Sequence, residues 1–160
     1  MDDVPVADRV AGRLVLASFS EVGPDPDAAL ERAGCAFVVS LVTAHEMRLR
    51  FPDMETWVSG AGDRVLHLPI PDGSVVDDDT LAAAVARVAM ALGDGESVLV
   101  HCGAGMGRAG VIAVLTMVSL GWPLDEAVTI VRRSRAGAGP ENDEQMAQVE
   151  RLAPRLAPHL

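Results

Sequence analysis

The chain has 160 residues, 49% of them hydrophobic and 22% charged, with a net charge of −10 and a pI near 4.7. That size and mix describe one globular domain with a sizeable core, and they exclude a disordered or fibrous protein. So acidic a surface argues against nucleic acid or anionic lipid as a partner, and because all thirteen basic residues are Arg, no lysine-based Schiff-base or P-loop chemistry is available.

The opening "MDDVPVADRV" lacks the basic and apolar regions of a signal peptide. In chain order, residues 13–18 ("RLVLAS") read as a first strand and 27–33 as a short helix. Residues 37–42 ("FVVSLV") are a continuous apolar run, as in a buried strand. Thr43 is placed to cap a helix running to about Arg50, and 64–70 ("RVLHLPI") form a strand ended by prolines. The clearest helix covers 78–92, with acids in its first turn, a stripe of Leu81, Val85, Val88 and Leu92, and Gly93 as its stop. A central strand at 97–101 leads to a helix at 109–120 that is apolar all round and therefore buried. Helices at 124–135 and 141–152 follow, the last ending at Pro154. The apolar stretch 110–124 is too short and too interrupted to span a membrane. Alternating strands and helices specify an α/β fold with a central, mostly parallel sheet flanked by helices. A single domain over 1–160 is expected, with its core at about 10–152 and frayed termini.

The chemistry concentrates at residues 98–110, "VLVHCGAGMGRAG". Ligands of parallel sheets bind beyond the carboxyl ends of strands, often at the N-terminus of the next helix, and Cys102 to Arg108 fall at that point. Gly103, Gly105 and Gly107 let successive backbone N–H groups converge into an anion nest. Arg108 adds a planar fork for two phosphate oxygens. The same donors, with the dipole of the following helix, favour a thiolate on Cys102. His101 is expected to hold the loop by hydrogen bonds rather than touch a substrate.

The run His101-Cys102-Gly103-Ala104-Gly105-Met106-Gly107-Arg108 resembles the H-C-x-x-G-x-x-R signature loop of the cysteine-dependent protein tyrosine phosphatases. Over roughly residues 10–152 the likeness is to the compact dual-specificity type, the kinase-associated phosphatase in particular. This resemblance implies a phosphatase-like fold, with the signature loop between a central strand and a buried helix. It implies Cys102 as nucleophile, Arg108 and the loop 103–108 as the phosphate cradle, and an upstream aspartate as general acid. Asp72, in the Pro-Asp-Gly turn of "LPIPDGSVVDDD", matches that acid, while Asp77, Asp78 and Asp79 are placed to cap the next helix. Gln145, in "RSRAGAGPENDEQ", matches a glutamine that orients the attacking water, and an exposed helix position is its competing reading. Arg132, Arg133 and Arg135 lie where they could line the entrance or a solvated helix face.

The implied reaction removes phosphate from phosphotyrosine, and from phosphoserine or phosphothreonine, in proteins or peptides, through a cysteinyl-phosphate. No metal or other cofactor is expected, and no nucleic-acid or membrane partner. A cytoplasmic location is expected. The neutral loop neighbours Gly103, Ala104, Gly105 and Met106 lack the lysines that related phosphoinositide phosphatases place there, and the chain has no Tyr to sandwich phosphotyrosine in a deep pocket. Both features fit dual specificity. The pattern breaks at Ala109, where the family usually has Ser or Thr to stabilise the departing thiolate. A lost hydrogen bond to a charged group is worth about 1.5–3 kcal/mol, which slows intermediate breakdown by roughly 10- to 100-fold. Ala109 also favours a competing reading, a phosphopeptide-binding pseudophosphatase. Retention of Cys102 and Asp72 stands against it. A small-molecule phosphate phosphatase is a further alternative, and sulfurtransferase-like or arsenate-reductase-like loops leave Asp72 unexplained. Cys35 precedes its strand whereas Cys102 follows its own, so parallel strands would hold the two too far apart for a disulfide. Cys35 reads as a small core residue.

Overall fold

The computed structural model describes residues 1–158. Five strands form one sheet in the order β1-β2-β5-β3-β4, with β1 at Asp2–Val4, β2 at Leu14–Ser18, β3 at Phe37–Ser40, β4 at Val65–His67 and β5 at Val98–Cys102. Among the described residues only the β1–β2 pair is antiparallel; β5 lies between β2 and β3, parallel to both, with Ser18 opposite Cys102 and Ser40 opposite His101. The carboxyl ends of β2, β3, β4 and β5 therefore share one edge of the sheet, and the loops that follow them meet there.

Pleating sorts the side chains of β5 onto two faces. Val98, Val100 and Cys102 join the larger core, which α5 (Asp78–Gly93), α6 (Gly107–Ser119), α7 (Leu124–Ser134) and α8 (Asp143–Leu156) cover. Leu99 joins the smaller core with Val15, Ala17 and Val38, beneath α1 (Phe19–Val22), α2 (Pro26–Ala33), α3 (Ala44–Arg50) and α4 (Pro52–Gly60). Every residue from Gly107 to Val118 is buried, so α6 is the central helix, packed against the sheet, α5, α7 and α8. Asp77 caps α5 by accepting the Thr80 N–H, and Thr43 forms a reciprocal capping box with Glu46 at the start of α3.

Several boundaries differ from the sequence reading for local reasons. The strand expected over 37–42 ends at Ser40 and that over 64–70 at His67, because β4 has only the short β3 to pair with. Beyond them, Leu68 N–H still bonds the Ser40 carbonyl and Ile70 N–H that of Leu41, which carries the chain toward the site. β1 is a three-residue acidic edge strand, too short to show a period. Pro52 begins α4 at a position where a missing N–H costs nothing. Gly93 lies within α5, whose cap is Asp94. Pro154 lies inside α8, which continues to Leu156. Cys35 is half-buried at the rim of the smaller core, at the opposite end of its strand from Cys102 in the parallel register. Burial pushes its thiol up to about 11. Among the described residues, no helix is long and apolar enough to cross a membrane.

Candidate active site

Cys102 ends β5, residues 103–106 turn, and α6 begins at Gly107. The Cys102 side chain is buried, and its Sγ accepts the Ala109 backbone N–H at 3.4 Å. The carbonyls of the turn are tied down from outside. Phe19 N–H donates to Gly103 O at 2.9 Å, the Arg135 guanidinium to Ala104 O at 2.8 Å, and both Gly110 N–H and Gly139 N–H to Met106 O at 2.8 and 3.0 Å. Gly105 has a φ of +76°, and a Cβ there would lie 2.4 Å from the Ala17 carbonyl oxygen. At Gly110 a Cβ would lie 2.1 Å from Gly139 N, so this glycine admits the 137–139 segment against the helix.

Arg108, only 2% exposed in its side chain, reaches back across the sheet edge. Its two terminal nitrogens form a bidentate pair with Glu46 at 2.9 Å each, and Nη1 also donates to Ile70 O at 2.6 Å. Its Nε is buried without a partner. Such a planar donor, locked at one end and unsatisfied at the other, is preorganised for an oxyanion. Burial opposes the charge of Glu46, but hydrogen bonds from Arg108 and Thr43 outweigh it and hold the carboxyl below its ordinary range. Arg108 is likewise kept charged: burial opposes, and Glu46, Cys102 and Asp72 outweigh it. The sequence reading missed Glu46. Its signal was Thr43-x-x-Glu46, a capping box whose carboxylate serves the helix and the arginine together.

His101 is fully buried, stacked on Phe19 and set between Ser40 Oγ at 2.8 Å and the Cys102 carbonyl at 3.4 Å. A carbonyl only accepts, so Nδ1 carries the proton and Nε2 accepts from the Ser40 hydroxyl. Burial, reinforced by the nearby Arg108 charge, pushes this imidazole down to about 4. It holds the strand end and is not exposed to substrate.

Asp72 comes to the same place from the loop after β4. Its Oδ1 lies 3.5 Å from Arg108 Nη2, and its side chain is 82% exposed. Ser74 N–H bonds the Pro71 carbonyl to close the turn, and Asn142 Nδ2 donates to Gly73 O at 2.8 Å. The rival acids are occupied elsewhere: Asp77 caps α5, Asp78 bonds Gln148 and Arg151, and Asp79 pairs with Arg155.

Gln145 is buried rather than an exposed helix residue. Its Oε1 accepts the Glu141 N–H at 2.9 Å, while its Nε2 is buried without a partner. Together with Ile70, Ser74, Leu81, Arg108 and Gln148 it lines a small cavity beside the guanidinium. Arg132 and Arg133 are exposed on α7, whereas Arg135 is largely buried against the signature loop. Among the described residues no cluster of three or more His, Cys, Asp or Glu is placed to hold a metal ion. A groove of about 600 Å³ between β4 and α5, lined by Leu66, Leu68, Thr80 and Arg87, includes none of these site residues.

Residues 10–149 match the family model of the DSP-PTPase phosphatase domain described as PTP-SAK, a Swiss Army Knife protein. The human protein tyrosine phosphatase type IVA 3 is 35% identical over 85 residues, covering 53% of this chain and 46% of the relative. The mouse type IVA 2 protein is 32% identical over 103 residues, 62% of this chain and 59% of the relative. The chain thus spans about half the length of these curated relatives. Among solved structures, Tk-PTP in the active form is 31% identical, with a TM-score of 0.67 over 91% of this chain and 92% of the other. The kinase-associated phosphatase carrying a Cys-to-Ser substitution at its catalytic site superposes with a TM-score of 0.79 over 99% and 96% of the chains, at 19% identity, a likeness of fold alone.

Proposed function

Because the chain belongs to the dual-specificity branch of the cysteine-dependent protein tyrosine phosphatases, we propose that it hydrolyses phosphomonoesters, taking phosphotyrosine and also phosphoserine or phosphothreonine in proteins. The observation that carries this reading is one meeting point beyond β5. There Arg108, with its Nε unpartnered, lies 3.5 Å from the exposed Asp72 carboxyl and is close enough to Cys102 for the two to interact electrostatically. The cytoplasm is the compartment we assign, since a reducing environment keeps such a cysteine free, and one domain over about 10–152 carries the activity.

In the first step the Cys102 thiolate attacks phosphorus, an S–P bond forms, and the ester P–O bond breaks. Asp72 gives its proton to the departing oxygen. Arg108 and the N–H groups of residues 103–108 take up the charge that builds on the equatorial oxygens. In the second step water attacks phosphorus, the S–P bond breaks, and the water proton passes to Asp72, releasing inorganic phosphate. Gln145 orients that water with the amide that has no protein partner. Glu46 acts through Arg108 and His101 through the strand end, as positioning residues. The neutral loop residues and the absence of Tyr support a monophosphorylated, dual-specificity substrate over a polyphosphorylated inositide.

The test is turnover of para-nitrophenyl phosphate by the wild type, Cys102→Ser and Asp72→Asn. The expected result is background activity for Cys102→Ser and a kcat about 10²- to 10⁴-fold lower for Asp72→Asn. Activity surviving in Cys102→Ser sinks the mechanism. A folded, phosphate-binding but inactive wild type turns the assignment to a phosphopeptide-binding module.

A further inference from the structure

An anion nest needs its peptide planes turned so that N–H groups point inward, and a trans peptide then points the preceding carbonyl outward. No cis peptide occurs among the described residues. In the signature loop, the carbonyl of Gly103 is held by the Phe19 N–H, and that of Met106 by the first helical bond of α6, from Gly110, and by the Gly139 N–H. The carbonyl of Ala104 is held instead by a side chain from the far end of α7, Arg135 Nη2 at 2.8 Å. This is also the plane that leads into Gly105, whose φ of +76° is a backbone that glycine adopts without strain but that no Cβ helps to fix. Arg135 is itself anchored, by Asp2 Oδ2 at 2.8 Å and Glu21 Oε2 at 3.4 Å, and its side chain is 17% exposed. With both terminal nitrogens committed, it is poorly placed to bind a substrate phosphate.

Resting on the phosphatase reading, we propose that Arg135 is a positioning residue of the signature loop. By holding the Ala104 carbonyl outward, it turns the Gly105 N–H into the phosphate cradle. Acidic residues on β1 and α1 hold Arg135 in place, so Asp2 and Glu21 contribute to the site without approaching it.

The experiment measures inorganic phosphate binding to Cys102→Ser protein by calorimetry, with the Gly105 amide signal followed by NMR. No turnover is required, so failure of the hydrolase reading leaves the outcome interpretable. Adding Arg135→Ala is expected to weaken phosphate binding by about 10- to 100-fold, the value of one hydrogen bond to a charged group, and to abolish the phosphate-induced shift of the Gly105 amide. Arg135→Lys, which keeps a donor for Ala104, recovers most of both. Phosphate affinity within twofold of the parent, with the Gly105 shift intact, overturns the proposal. So does weakened binding of a phosphopeptide with unchanged binding of inorganic phosphate, which makes Arg135 an entrance contact. Should the alanine variant not fold, Arg135→Lys is compared with Arg135→Met, of similar length. Tighter phosphate binding by the lysine variant supports the clamp, and equal affinity overturns it.

Discussion

The signature loop is held at its carbonyls by β2–α1, α6, the 137–139 segment and Arg135, with its cysteine and arginine buried. The Asp72 loop facing it is anchored at Ile70 but held at its tip by only one Pro71–Ser74 turn and one bond from Asn142, with its carboxyl in solvent. The difference fits the two tasks proposed for them. An anion cradle works through fixed dipoles, which stabilise charge only if they need no reorganisation when it appears. A general acid must lose a proton and regain it, and exposure keeps that exchange open. In the proposed mechanism, rigidity is concentrated where charge would develop and relaxed where protons would move.

Three perturbations test this contrast, from the largest effect to the smallest. The rigid side depends on a neutral His101. Its pKa in the fold is about 4, against 6.5 when unperturbed. Between those values the unfolded chain binds more protons, so this stability is present above pH 6.5 and lost as pH falls toward 4. The loss is about 3 kcal/mol, read as the difference in pH dependence of urea unfolding between wild type and His101→Gln. Parallel curves for the two proteins would remove His101 as the anchor of the strand end.

A smaller effect is expected at Ala109. The Cys102 sulfur receives the Ala109 N–H, a donor that a serine there would also supply, so the hydroxyl adds a second bond to a thiolate that already has one. Ala109→Ser should speed breakdown of the phosphoenzyme by about 10-fold and diminish the burst with an aryl phosphate. Unchanged turnover would mean that the backbone donor alone suffices.

The smallest effect belongs to the looser loop. Asn142→Asp keeps the Oδ1 that caps α8 by accepting the Gln145 N–H but removes the Nδ2 tether to Gly73, and should lower kcat about 2- to 10-fold, the value of one ordinary hydrogen bond. Phosphate affinity should fall less than kcat, because this loop touches the cradle only where Ile70 O and Asp72 meet the Arg108 guanidinium, away from Gly73. A parallel loss of phosphate binding would show that the two loops are not independent.

Much of this arrangement is legible in the sequence because it is local. The run from Val98 to Arg108 carries strand, turn and helix start in one stretch, and Thr43 and the acids at 77–79 announce their helices by capping chemistry. What escapes is contact between distant segments. Glu46 looks complete as half of a capping box, and nothing local says that its carboxylate also holds an arginine 62 positions away. Gln145 sits among exposed acids, and its burial depends on α8 docking over the loop after β4. Arg135 resembles its neighbours Arg132 and Arg133, and only the fold of β1 and α1 separates them. β1 and α4 were missed because a three-residue acidic strand and a helix opening on Pro52 carry little periodicity.

The alternation of side chains along β5 makes this chemistry sensitive to chain length. Cys102 faces the larger core and Leu99 the smaller one, so odd and even positions are not interchangeable. A single-residue insertion within 98–101 would shift the register against both parallel neighbours and carry the sulfur to the wrong face, with no foreign side chain in the site. The same insertion at Gly95, in the exposed turn before the strand, leaves the alternation intact. Tolerance to insertion and deletion should therefore drop abruptly at the first residue of β5.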